Sequence, residues 1–136
     1  DYSLHPKTGQ QRKLNIIVYL NSNWQECWGG SLGLWGNDSD KAPGQLVKQI
    51  IPKFNRAVIF DTTCNSWHGL PDPINCPNDQ FRKSLAVYYL TTPHENASDR
   101  GKALFAPTDE QKNDEDVLHL ISQRSNSATA AKVWRG

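Results

Sequence analysis

The feature that most constrains this chain is a series of short β-branched and aromatic runs, cut apart by turn residues, with no helical crossover between them. Residues 14–20, Leu-Asn-Ile-Ile-Val-Tyr-Leu, are too short and too β-branched for a helix and predict a strand buried on both faces. Residues 31–35 alternate small or polar with large apolar side chains, the period of a half-buried strand. Further strands are predicted over 46–51, ended by Pro52, over 56–61, at Ser66-Trp67-His68 and over 83–90. Residues 24–30, closed by Gly29-Gly30, read as a connection. Residues 36–45 and 71–77, rich in Gly, Asn, Asp and Pro, read as loops. Parallel α/β architecture needs crossovers of a dozen or more residues, which these spacings do not supply. The expected fold class is therefore an all-β sandwich or barrel.

The tail has a different character. Residues 92–107 are polar and irregular. Thr108 with Gln111 has the form of a capping box. From Asp114 to about Arg124, Val117, Leu118 and Ile121 share one face of a short helix with acids in its first turn, expected to pack on the β-core.

Composition excludes several function classes. With 136 residues the chain suits one domain with a modest core. A net charge of +1, spread without a long single-sign block, gives no broad electrostatic grip, so no nucleic-acid partner is expected. No apolar run approaches the ~18 residues of a membrane span, so a soluble protein without a membrane partner is expected. Three cysteines, Cys27, Cys64 and Cys76, without a C-x-x-C pair, argue against a disulfide framework or a cysteine zinc site. Free thiols fit a cytoplasmic location. Asn37-Asp38-Ser39 and Asn96-Ala97-Ser98 fit the glycosylation pattern, which arises often by chance. The absence of methionine and the opening on Asp1 lead us to expect a fragment or a trimmed domain.

Of four histidines, His94 falls in a polar loop, His119 in the acidic helix and His5 before Pro6 in a turn-like stretch. His68 differs, ending a short strand beside Trp67. Arg82 comes near the start of the next strand, and Ser84 lies two residues on, facing the same side. An arginine fork with an adjacent hydroxyl suits a buried carboxylate, although spacing alone leaves a surface arginine as the better reading.

Together, Phe54 to Thr63, Ser66-Trp67-His68-Gly69 and Arg82 to Tyr89 resemble the second half of an iron(II)- and 2-oxoglutarate-dependent dioxygenase of the prolyl 4-hydroxylase-like type. Leu14 to Asn21, with Trp24 and Gly29-Gly30-Ser31-Leu32, is similar to the preceding strands of that family. The opening residues 1–9 resemble the family's segment at and just after its His-x-Asp iron-binding motif. The likeness covers roughly residues 1–91, about two thirds of the chain.

The resemblance implies a double-stranded β-helix, a cupin-like jelly roll, over residues 1–91, with residues 92–136 as a C-terminal extension holding the short helix. It implies Asp1 and His68 as iron(II) ligands, with a further histidine expected two positions before Asp1. His5 is a poor substitute, because a four-residue spacing brings side chains together only on a helix and Pro6 and Gly9 oppose one. It implies Tyr19, Arg82 and Ser84 around the distal carboxylate of 2-oxoglutarate. Arg12 and Asn15 stand at the site mouth on weaker grounds. Trp24, Trp28, Trp35 and Trp67 are expected to pack or to wall the substrate. The implied activity is hydroxylation of an unactivated C–H bond, with a prolyl residue of a protein as one candidate among protein and small-molecule substrates. Dioxygen is the co-substrate and ascorbate a candidate reductant. The alternative is a non-catalytic jelly-roll module that binds a sugar or peptide in the same mouth.

Overall fold

The structure is a computed structural model that describes residues 4–5, 7–39, 42–63, 66–97 and 104–126. Six strands are present among them: β1 (Gln11–Tyr19), β2 (Leu32–Ser39), β3 (Ala42–Ile50), β4 (Ala57–Asp61), β5 (His68–Gly69) and β6 (Ser84–Thr91). Short 3-10 turns occupy Glu26–Trp28 and Asp109–Gln111, and an α-helix, α1, spans Glu115–Ser125. The described chain is thus mostly β with a short C-terminal helix. It divides into two units, Arg12–Thr91 and Asp1–Gln11 with Thr92–Gly136.

In the unit Arg12–Thr91, two three-stranded sheets form, ordered β4-β1-β6 and β3-β2-β5. β1 and β4 run antiparallel with Asn15 opposite Phe60 and Ile17 opposite Val58. β2 is antiparallel to β3, with Leu32 opposite Ile50, and to β5, with Leu34 opposite His68. Side chains alternate across each strand, so Ile17, Tyr19, Val58 and Phe60 project from one sheet toward Leu32, Leu34 and Ile50 of the other. Tyr19, Leu32 and Val58 are the enclosed centre. The core is small: Ile17, Leu34, Ile50 and Phe60 pack around it half-buried, and three polar residues, Gln11, Asn15 and Ser31, are buried as well.

Two expectations need correcting. Residues 36–45 are not a loop, because β2 continues to Ser39 and β3 begins at Ala42. The register between them shifts three times, after Leu34, Trp35 and Asn37, and these irregularities absorb Gly36 and Gly44. Pro43 is tolerated because β3 is an edge strand. The strand expected at Ser66–His68 is reduced to His68–Gly69, although the Trp35 N–H still donates to the Trp67 carbonyl at 3.0 Å. β1 is also less enclosed than predicted, with Gln11, Asn15 and Tyr19 buried, Lys13 exposed and the rest half-buried.

Gly29 and Gly30 are required where they stand. Both have positive φ, 70° and 73°. A Cβ on Gly29 would lie 2.3 Å from the Pro73 carbonyl oxygen, and one on Gly30 would lie 3.0 Å from Arg82 Cδ.

In the other unit, Leu4 bridges Gln11 and the Gln11 side chain accepts the His94 N–H. The predicted capping box is formed by Thr108 and Gln111, and it caps the 3-10 turn. Asp114 caps α1, accepting from the N–H groups of Asp116 and Val117 at 3.1 Å each.

Candidate active site

β1 carries Tyr19 into the centre of the core, where it is 0% exposed. Its hydroxyl oxygen is buried and makes no well-formed hydrogen bond. Buried tyrosine hydroxyls ordinarily find a partner, since an unmade hydrogen bond costs ~1–3 kcal/mol. The Arg82 guanidinium stands 5.1 Å from the Tyr19 ring centroid. Burial pushes the phenol above its usual pKa. Arg82, through its charge and a loose approach to the hydroxyl, pulls partly back, as does the charge of Arg56. A neutral hydroxyl donor beside a cation is an arrangement that a carboxylate completes.

The sign of that shift carries a prediction. Below the unfolded tyrosine value, ~10, both states keep the proton and the contribution to stability is whole. As pH rises from there toward the folded value, only the unfolded chain sheds the proton, so stability falls. Urea midpoints measured from pH 8 upward are expected to decline on this account, and Tyr19→Phe is expected to flatten the decline. An unchanged alkaline limb in the Phe variant would show that Tyr19 is not its source.

One hydrogen bond holds the Arg82 side chain, and others fix the segments around it. Its Nε donates to the Gly30 carbonyl at 2.7 Å, an approach that a side chain at position 30 would obstruct. Trp24 packs over the same Gly30 and donates its Nε1–H to the Gly29 carbonyl at 3.0 Å. The Asn21 side chain donates to the Phe81 carbonyl and accepts the Lys83 N–H, bracketing Arg82 on both sides. Arg82 therefore stands two residues before β6 in a locally fixed segment, not on the strand as the spacing suggests. Ser84 is the exposed first residue of β6. Asn21 is not among the site residues that the sequence suggests. Its signal is a lone amide closing the run Val18-Tyr19-Leu20, which sequence alone cannot connect to residues 81–83.

His68 lies on β5 opposite Leu34, a residue packed against the core. Its ring meets Phe60 edge-on with centroids 4.8 Å apart. Its Nδ1 is 2.7 Å from the Ser66 carbonyl oxygen. A carbonyl only accepts, so Nδ1 carries a proton, and in the neutral ring the lone pair is then on Nε2. That tautomer, fixed by a backbone carbonyl, is the one a metal-ligating imidazole needs.

The other histidines are engaged locally. His5 Nδ1 accepts the N–H groups of Lys7 and Thr8 in a turn, and His94 Nδ1 accepts the Asn96 N–H. His119 pairs with Gln123 along α1. Asp61 projects opposite to Phe60, and its carboxylate is taken by Lys13 and Thr63. Among the described residues no group of three or more His, Cys, Asp or Glu could hold a metal. Asp1, the expected second ligand, lies outside the described residues, as does Cys64. Cys27 and Cys76 are free thiols.

The structure thus brings Tyr19 and Arg82 together and places His68 beside Phe60, whose strand neighbours Tyr19's own. The sequence model of the 2OG-Fe(II) oxygenase superfamily matches residues 1–89. The chain belongs to the 2OG-Fe(II) oxygenase superfamily. Membership implies iron(II) and 2-oxoglutarate, with dioxygen and a substrate to be oxidised.

Among relatives, the prolyl 3-hydroxylase OGFOD1 of Xenopus laevis is 32% identical over 71 residues, covering 52% of this chain and 14% of that protein. Its counterpart in Mus musculus is 31% identical over 93 residues, covering 65% of this chain and 17% of that protein. The matches therefore span less than a fifth of either relative's length. In this oxygenase-superfamily chain no helix among the described residues is long and apolar enough to cross a membrane.

Proposed function

We propose that this chain is the cosubstrate- and iron-binding core of a 2-oxoglutarate-dependent dioxygenase that hydroxylates an unactivated C–H bond, with a prolyl residue of a protein as substrate. The observation that carries this reading is the fully buried Tyr19 hydroxyl, without a well-formed hydrogen bond, beside the Arg82 guanidinium. The names of the two relatives support the prolyl assignment.

The residues fit the groups the family uses. The distal carboxylate of 2-oxoglutarate would take charge-assisted hydrogen bonds from Arg82 and Tyr19, with Ser84 as the third donor. His68 Nε2 and the Asp1 carboxylate would hold iron(II), two of the three ligands of a facial two-histidine, one-carboxylate site. When bound, iron(II) with 2-oxoglutarate and dioxygen supplies the oxidising chemistry. The protein residues hold the cosubstrate by its far end, keep the His68 lone pair available and exclude water around Tyr19. Ascorbate serves as reductant in this reading.

Closure of the two sheets into a double-stranded β-helix belongs to the same proposal and is supported by the facing sheets and the family match. So does a division into an oxygenase core over residues 1–91 and an extension over 92–136, supported by a match that ends at residue 89. Free thiols at Cys27 and Cys76 support a cytoplasmic location.

The test is an anaerobic titration of the full natural polypeptide with iron(II) and 2-oxoglutarate. A visible charge-transfer band, from the 2-oxo acid bound through two oxygens to iron, is the expected result. Its absence would replace the enzyme reading with that of a binding module.

A further inference from the structure

A second buried polar side chain lies on the same face of β1 as Tyr19. Asn15 is 3% exposed, and its Oδ1 has no hydrogen-bond partner. It stands four residues before Tyr19, about 13 Å along an extended strand. Its partner across β4 is Phe60, and Phe60 is the residue that meets the His68 ring at 4.8 Å. One strand face therefore carries Tyr19 at its Arg82 end and Asn15 at its His68 end, with the apolar Ile17 between.

A buried amide with an unsatisfied end in a β-strand weakens the fold. A valine there would suit the strand better and leave nothing unpaired. The buried amide end is available to a partner that arrives from outside the protein. The two ends of a carboxamide exchange places by a half-turn of its last bond, which puts Nδ2 where Oδ1 stands. A ligand whose groups are all acceptors selects that orientation. A 2-oxo dicarboxylate is such a ligand.

We propose that Asn15 is a further cosubstrate-binding residue, its Nδ2–H donating to the 2-oxo-acid end of 2-oxoglutarate while Arg82 and Tyr19 hold the distal carboxylate. This rests on the function proposed above. It gives this face of β1 two polar anchors on either side of the apolar Ile17, so that length and oxidation state of the dicarboxylate are both read.

The experiment compares Asn15→Val with Asn15→Thr in the full natural polypeptide. The pair share β-branching and nearly the same shape, with a hydroxyl in one where the other has a methyl, so steric effects are matched and each variant's own melting temperature without ligand serves as its reference for the cost of the buried hydroxyl. Two quantities are measured with manganese(II) in place of iron, so that no turnover is involved. These are the 2-oxoglutarate dissociation constant by calorimetry and the melting temperature with and without 2-oxoglutarate. The Val variant is expected to melt higher than wild type without ligand, to bind 2-oxoglutarate about tenfold more weakly and to gain less from it. The Thr variant, which keeps a donor, is expected to bind within about threefold of wild type. A Val variant that binds as wild type does, or melts lower without ligand, would show that Asn15 is satisfied by water and serves the fold, which overturns the proposal alone. Failure of the wild type itself to bind 2-oxoglutarate overturns the parent function and this assignment with it.

Discussion

Changing His68 to alanine is expected to abolish iron-dependent succinate release and to erase the charge-transfer band, while leaving the protein folded. The imidazole is exposed and contributes little to the core, its main contact being the edge-on meeting with Phe60 at 4.8 Å. Such a contact is worth ~0.5–1.5 kcal/mol and the hydrogen bond to the Ser66 carbonyl a similar amount, so the loss of stability should not exceed about 3 kcal/mol. The effect on metal is of another order. The Ser66 carbonyl fixes the proton on Nδ1, which leaves Nε2 as a lone-pair donor. Altering an outer partner of a metal-bound imidazole costs roughly 10–100-fold in affinity or activity, and removing the imidazole costs more. His94→Ala provides the control. That ring accepts a backbone N–H within its own turn. Undiminished iron-dependent turnover in His68→Ala would sink the ligand assignment. A collapse of the melting temperature would instead make His68 a structural residue.

How far the sequence reaches can be judged from individual residues. Local signals read well. The capping box at Thr108–Gln111 involves atoms three residues apart, so the pattern contains the whole interaction. Strands β1, β4 and β6 are legible because a β-branched run suits a half-buried pleated surface and little else. The β2–β3 hairpin is not. Gly36, Pro43 and Gly44 are turn residues by local preference, and only edge position and register shifts let a ladder absorb them. Local preference makes residues 36–39 and 42–45 a loop, and pairing overrides it.

The site divides in the same way. His68 and Arg82 stand out through a family pattern, not through any property of their spacing. The competence of Arg82 is a long-range matter. The Gly30 carbonyl and the Asn21 side chain reach it from the other half of the unit. Asn15 sits in an otherwise apolar run, where an amide reads as a mouth or surface position. β1 lies between β4 and β6, with Phe60 opposite Asn15, and neither neighbour is written in residues 14–20.

Arg82→Ala is expected to raise the 2-oxoglutarate requirement by about 100-fold, the loss of two charge-assisted hydrogen bonds, with kcat at saturating cosubstrate changed only a few-fold. The split is a matter of position. In the proposed function Arg82 would hold the end of the cosubstrate that does not react, so its contribution would be the same before and during the reaction and appear in KM. Arg82→Lys keeps the charge but not the fork, and should recover only part of the affinity. The alanine variant also has a structural cost. The Gly30 carbonyl loses its 2.7 Å donor and the Tyr19 ring loses a cation 5.1 Å away, together worth about 1–2 kcal/mol of stability. A spectroscopic check separates the two roles. With the guanidinium gone, burial acts on the Tyr19 phenol with less opposition, so its pKa should rise further, visible in an ultraviolet titration of the apo protein. A raised phenol pKa with an unchanged 2-oxoglutarate KM would mean that Arg82 serves the core and not the cosubstrate. A raised KM with the expected phenol shift would place the carboxylate between Arg82 and Tyr19, beside a buried hydroxyl that has no well-formed hydrogen bond of its own.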